Sequence, residues 1–149
     1  MGLFNSFDIN ASGMTAERYR MDVISENVAN ANTTRTSDGT AYRRKIVVFE
    51  EKQSPASFSS LLHSASNRYT GNGVKVAGTY DDNYTQMNKV YDPSNPDADD
   101  DGYVTYPNVN TVTEMTNLID ANRAFEANAT AFASSKNVVE KGLNILTNG

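Results

Sequence analysis

The residues best equipped for chemistry sit in one acidic turn. Asp97-x-Asp99-x-Asp101-Gly102 places three carboxylates at alternate positions ahead of a glycine. This is the first half of a calcium-binding loop, where such oxygens surround the ion and the glycine makes the sharp turn. The twelfth position is Asn108, which cannot give the closing bidentate carboxylate, and Pro93 and Pro96 spoil the entering helix. A calcium-responsive binding module on Asp97, Asp99 and Asp101 therefore stands second to a solvated turn that sets up the last helix. His63 is the single histidine and lies in a Ser-rich stretch with no Ser–His–Asp arrangement around it. The chain has no cysteine, which excludes disulfides, thiolate metal sites and a Cys nucleophile. Gly71-Asn72-Gly73 reads as a turn and lacks the spacing of a phosphate-binding loop. Arg43-Arg44-Lys45 is a short basic run, read as a charged strand edge that faces water or meets an acidic neighbour. With 13 basic and 18 acidic residues, the net charge of −5 argues against nucleic acid as a partner. No catalytic residue, metal site or cofactor is expected.

The elements that position these residues follow from periodicity. Residues 3–31 carry a seven-residue repeat, Phe7, Met14, Met21, Val28 in one series and Leu3, Asn10, Glu17, Ile24, Ala31 in the other. Alternating steps of four and three make a helix with a narrow seam. Gly13 lies inside the pattern, and a break near Ser12-Gly13 is compatible with it. Residues 109–147 repeat more strongly, with Leu118, Phe125, Phe132, Val139, Leu146 and Met115, Asn122, Ala129, Lys136, Leu143. Pro107 and Asn110 supply a start, and Thr111 and Glu114 have capping-box spacing. In between, Tyr42–Glu50, Val74–Tyr80, Tyr84–Tyr91 and Tyr103–Tyr106 read as extended segments, and Ser59–Ala65 as a helical turn.

The predicted fold is α+β: long N- and C-terminal helices paired as a coiled coil, with a small β-containing insert. The boundaries are 1–34 for the N-terminal arm, 35–108 for the insert and 109–149 for the C-terminal helix. Leu, Ile, Val and Phe make up only 29 of 149 residues, whereas Asn, Thr and Ser make up 45. Such a thin core predicts that the seams pack against each other and against copies or relatives of the chain. No stretch approaches the roughly 20 apolar residues of a membrane span. The opening residues lack the basic, apolar and small-residue sections of a secretory signal.

The most specific motifs lie on the helices. Ser25-Glu-Asn-Val-Ala-Asn-Ala-Asn-Thr-Thr34 sets Asn27 and Asn30 on one side of a helix end. In the last helix, Asn122-Arg-Ala-Phe-Glu-Ala-Asn128 puts Phe125 beside small residues that let a neighbouring backbone approach. Arg123 is placed to pair with Glu126 or with a neighbouring subunit, and Asn128 closes the motif. Met21-Asp-Val-Ile-Ser-Glu-Asn-Val-Ala-Asn-Ala-Asn-Thr-Thr-Arg35 resembles the N-terminal signature of bacterial flagellar axial proteins, the rod and hook family. Met115-Thr-Asn-Leu-Ile-Asp-Ala-Asn-Arg-Ala-Phe-Glu-Ala-Asn128 resembles the matching C-terminal signature. The stretches Phe7-Asp-Ile-Asn-Ala-Ser-Gly-Met14, Ala41-Tyr-Arg-Arg-Lys45, Tyr91-Asp-Pro-Ser-Asn-Pro-Asp-Ala98 and Gly102-Tyr-Val-Thr-Tyr-Pro-Asn-Val-Asn110 narrow the resemblance to the proximal rod proteins of the basal body. Glu26 and Phe125 depart from the commonest family wording, where Asn and Tyr are frequent.

The resemblance implies a structural, non-enzymatic protein. It implies passage through the flagellar type III export apparatus without a cleaved signal. It further implies a helical tube of this protein and other rod proteins that crosses the periplasm, meets the basal-body ring components and carries torque. The termini would be disordered in the free monomer and pair as a coiled coil lining the tube, with the insert as an outer domain.

Overall fold

The computed structural model describes residues 3–52 and 71–147. The order is α1 (Leu3–Ala29), β1 (Lys45–Glu51), β2 (Val74–Asp81), β3 (Asn88–Tyr91), β4 (Tyr103–Tyr106) and α2 (Thr111–Thr147). The fold class is α+β. β1 pairs with β2, and β3 pairs antiparallel with β4 in the register Asn88↔Tyr106 to Tyr91↔Tyr103. His63 and the segment Ser59–Ala65 lie outside the described residues.

The chain forms two compact units, and both helices contribute to each. The first holds Met1–Arg18, Phe49–Ala77 and Asn122–Gly149; the second holds Tyr19–Val48 and Gly78–Ala121. In the first unit the Phe7 and Phe132 rings meet edge to face, 4.9 Å between centroids, a favoured geometry for aromatic pairs. Gly13 sits against the Asn128 side chain so closely that a Cβ at Gly13 would collide with it. α1 runs unbroken through Ser12-Gly13. The glycine is a contact device rather than a helix break, and its helix-propensity cost of about 1 kcal/mol is accepted for close approach. The Ser12 hydroxyl donates back to the Ile9 carbonyl (2.7 Å) and accepts the Val74 N–H (3.1 Å), which ties the start of β2 to α1. Gly73, at φ +89°, makes the turn into that strand, where a side chain would strike Ser12.

In the second unit the buried apolar set includes Val23, Ile24, Tyr42, Val104 and Ala121. Val104 is held in by the hairpin register opposite Val90. The Tyr91 and Tyr103 rings, on the other face of the hairpin, meet edge to face at 5.3 Å. Tyr84–Met87, the first half of the segment read from sequence as extended, is not a strand. Asp82 captures it in a side-chain turn: its Oδ1 accepts the N–H groups of Tyr84 and Thr85, both at 3.0 Å. This local alternative outcompetes a β ladder, as Asp side chains commonly do.

α2 is capped by Asn110, whose Oδ1 accepts the N–H groups of Val112 (3.0 Å) and Thr113 (3.2 Å). The capping box at Thr111 and Glu114 does not form. The cap falls one residue earlier, and the Glu114 side chain turns inward to other partners.

Candidate functional site

The most deeply buried large side chains of the described residues are Glu114, Val104 and Asn27. Two of the three are polar, so they must find partners where they sit. Asn27 is 0% exposed and Glu114 1%. The last turns of α1 bring in Asn27, the approach to β1 brings Tyr42 and Arg44, the exit of β2 brings Asp82, and the start of α2 brings Asn108 and Glu114. All belong to the second unit.

Asn27 fills its full hydrogen-bonding capacity. Its Nδ2 donates to the Lys45 carbonyl (2.9 Å) and to Glu114 Oε2 (3.0 Å). Its Oδ1 accepts the Lys45 N–H (2.8 Å) and the Tyr42 hydroxyl (2.9 Å). The amide thus reads both backbone groups of Lys45, as a neighbouring strand would, at the first residue of β1. Only Asn or Gln offers paired donor and acceptor in that way. Arg44 donates from Nε to Glu114 Oε1 (2.9 Å) and lies 3.7 Å from Asp82 Oδ2. Its backbone N–H goes to Asn108 Oδ1 (2.8 Å). Asn108 in turn donates to the carbonyls of Asp82 (2.9 Å) and Thr85 (3.1 Å). One cation serves two buried carboxylates, and two Asn amides stitch the backbone around them.

The electrostatics follow from this geometry. The Thr85 N–H and hydroxyl, with the Tyr84 N–H and the Arg44 guanidinium, hold the Asp82 carboxyl below its ordinary range despite burial. Tyr42 moves the other way. Burial, then the negative charges of Glu26, Asp81 and Glu114, push its hydroxyl from 10.0 up to about 12. Because the folded value lies above the unfolded one, Tyr42 stabilises the fold fully below pH 10, and that contribution is lost as pH rises toward 12. An ultraviolet titration is expected to show one tyrosinate forming later than the rest and together with unfolding, a step that Tyr42→Phe removes.

The residues singled out by sequence are distributed as follows. On α1, Ile24 and Asn27 are buried and Phe7, Met14, Met21 and Val28 are partly buried, as is Asn30 just past its end. Asn30 finishes the helix rather than packing with Asn27: its Nδ2 donates to the Glu26 carbonyl and its Oδ1 accepts the Thr33 hydroxyl. On α2, Leu118, Phe125, Asn128, Phe132 and Val139 are partly buried. Met115 and Leu143 stand 55% and 56% exposed, and Asn122 and Arg123 are exposed as well. The row that alternates with Leu118, Phe125 and Phe132 inside the chain is Glu114, Ala121, Asn128 and Ser135. Glu126 accepts from Asn122 (3.2 Å), one turn back.

The acidic turn is occupied by its own chain. Asp97 accepts the Thr34 hydroxyl (2.7 Å) and lies 3.6 Å from the Arg35 guanidinium. Asp99 accepts the N–H groups of Asp101 and Tyr103 (3.2 and 2.7 Å). Among the described residues no group of three acidic or histidine side chains could hold a metal ion. Arg44 and Lys45 do meet acidic neighbours, Glu114 and Glu26. Sequence reading missed Tyr42, Asp82 and Asn108 as members of a site, and gave Glu114 a different task. The usable signal was Tyr42 and Arg44 two residues apart ahead of a strand, facing a lone acid in the first turn of α2.

Comparison with known proteins gives this arrangement its class. A family described as flagella basal body rod protein matches residues 7–35. A second, described as flagellar basal body rod FlgEFG protein C-terminal, matches residues 100–145. Both matched stretches reach into the polar cluster, one through Asn27 and the other through Asn108 and Glu114. Full-length relatives are more particular. The flagellar basal-body rod protein FlgC of Bacillus subtilis is 43% identical over 97% of this chain and 99% of its own length. The FlgC of Borreliella burgdorferi is 42% identical over 98% and 99%, and that of an Escherichia coli O6:H1 strain 38% over 97% and 98%. The chain belongs to the family of the flagellar basal-body rod protein FlgC. It is a structural subunit of the basal-body rod, not an enzyme. No described helix is long and apolar enough to cross a membrane.

Proposed function

We propose that this subunit assembles helically, with copies of itself and with other rod proteins, into the drive shaft that carries torque across the periplasm. In this reading the arms 1–34 and 109–149 pair as a coiled coil, and the insert 35–108 faces outward. The subunit reaches its place through the type III export apparatus without a cleaved signal and meets the ring components there.

The observation that carries the reading is the apolar surface α2 leaves open. Val112, Met115, Ile119, Val138, Leu143 and Ile145 are all exposed on one 37-residue helix. A soluble monomer seldom leaves so much apolar side chain on one element without a partner. Long helices bundled side by side also resist twisting, which a shaft requires. Supporting the pairing of the arms are the Phe7–Phe132 contact and the approach of Asn128 to Gly13.

Ile119→Asp or Val138→Asp tests the exposed surface of α2 as an assembly surface. Either is expected to abolish motility and rod formation while the chain is still made and exported. Working flagella in such strains would remove that surface from assembly.

A further inference from the structure

Tyr84 is the most exposed large hydrophobic side chain of the described residues, at 98%. Its backbone is nevertheless fixed. The Asp82 carboxylate, itself buried, takes the N–H groups of Tyr84 and Thr85 and the Thr85 hydroxyl, and Asn108 Nδ2 binds the carbonyls on both sides of the tyrosine. The polar cluster thus holds a loop whose tip is an aromatic side chain projecting into solvent. An exposed aromatic on a fixed backbone makes an effective contact anchor, because the loop loses little conformational freedom when it docks.

The same unit carries a receiving surface. A groove of about 440 Å³ lies between the residues after α1, the β3–β4 hairpin and the entry to α2. Its lining, which includes Ala31, Val90, Tyr106, Pro107 and Val109, has no charged side chain. The volume is within the range of roughly 300–1,000 Å³ that accepts small organic groups, enough for one phenol ring. Asn32 and Asn88 add amide groups able to meet a hydroxyl. Thr111 at the groove's edge is one turn ahead of Met115, and Met115 one turn ahead of Ile119, so the groove continues into the exposed apolar surface of α2.

We propose that Tyr84 seats in the Ala31–Val90–Pro107 groove of a neighbouring copy of this chain. Knob and groove lie on one unit, so every copy offers both, and the contact can repeat from subunit to subunit. One tyrosine buries on the order of 150–250 Å², far below the roughly 1,200 Å² of a stable pair. The contact therefore acts inside a polymer, where other surfaces share the load. It also gives exposed Met115 a place, beside the seated ring rather than inside its own chain. The proposal rests on the rod-subunit reading.

The chain lacks cysteine, so engineered ones report cleanly. Asn83→Cys chains, which keep Tyr84 beside the exposed cysteine, and Asn88→Cys chains are co-expressed in a strain lacking the wild-type chain, and basal bodies are isolated and oxidised. A disulfide-linked mixed dimer is expected, and it is absent when Asn88→Cys is replaced by Glu140→Cys. Tyr84→Ser is expected to leave the melting temperature of the purified chain unchanged and to lower its incorporation into rods about tenfold in competition with wild type, the effect of losing one anchor. Rods that contain both cysteine chains without the mixed dimer overturn the docking and leave the rod reading intact. So does a link from Asn83→Cys to a different rod protein alone when a bifunctional thiol–amine reagent replaces the oxidant. Absence of the wild-type chain from basal bodies overturns the rod reading and the docking with it.

Discussion

Arg44→Ala is expected to destabilise the second unit by about 3 kcal/mol, the lower end of what breaking a buried ion pair costs. The reason is the company it leaves behind. Glu114 is 1% exposed and Asp82 nearly as buried, and Arg44 is the cation that faces both. Without it two carboxylates remain close together in the interior, one with only amide donors and one with its loop. The lower end applies because the Arg44 side chain is itself a quarter exposed, so water reaches part of the vacated space. Urea unfolding followed by tyrosine fluorescence measures the loss. Glu114→Gln placed on top of Arg44→Ala is expected to recover part of it, since the amide keeps the shape and removes one orphaned charge. A double variant that loses the sum of the two single effects would show that the pair is not coupled.

Asn27→Leu is expected to cost at least as much, about 3–5 kcal/mol, because four partners lose their hydrogen bond at once and each orphaned buried group costs about 1–3 kcal/mol before relaxation. The Lys45 N–H and carbonyl, the Tyr42 hydroxyl and Glu114 Oε2 all depend on this one amide. Asn27→Asp has the same shape and sharpens the test. It sets a second carboxylate against Glu114, so its folded pKa rises above the unfolded value. The stability this Asp allows is then present at low pH, where it is protonated and can donate, and is lost as pH rises. The destabilisation relative to wild type is expected to grow with pH between the ordinary carboxylate range and neutrality, opposite to the wild-type Asp82, whose depressed value favours the fold as pH rises. Equal destabilisation at all pH values would mean that position 27 is not buried beside Glu114.

Both variants act on a cluster that only the folded chain assembles, and this marks where sequence reading stops. Asn27 was visible as part of a helix-end motif, yet its four partners are 15 to 87 residues away. Spacing puts Asn27 and Asn30 on one side of the helix end and says nothing of their separate partners. In the structure Asn27 serves a strand, while Asn30 serves its own helix end. The heptads behave similarly. A seven-residue period says that a stripe exists, but the second row of the stripe has two candidate phases one residue apart. Met115 and Leu143 favour one phase by hydrophobicity. Inside the chain the other is packed, with Glu114, Ala121 and Asn128, because small and hydrogen-bonded residues permit the close approach seen where Gly13 meets Asn128. The acidic turn shows the same limit: alternate aspartates suit an ion, but Thr34 and Arg35 claim Asp97 and nearby N–H groups claim Asp99.

By itself the sequence determined the two long helices, the strands after Arg44 and after Gly73, the absence of a cysteine or multi-histidine site, and the rod-protein signatures at both ends. These depend on neighbours a few residues apart, whose spacing is written in the chain. The tertiary structure alone decided which polar side chains are buried, which carboxylates share Arg44, and where an aromatic is held out on a fixed loop. Those depend on partners brought together from distant segments, where a side chain's surroundings, rather than its type, set what it does.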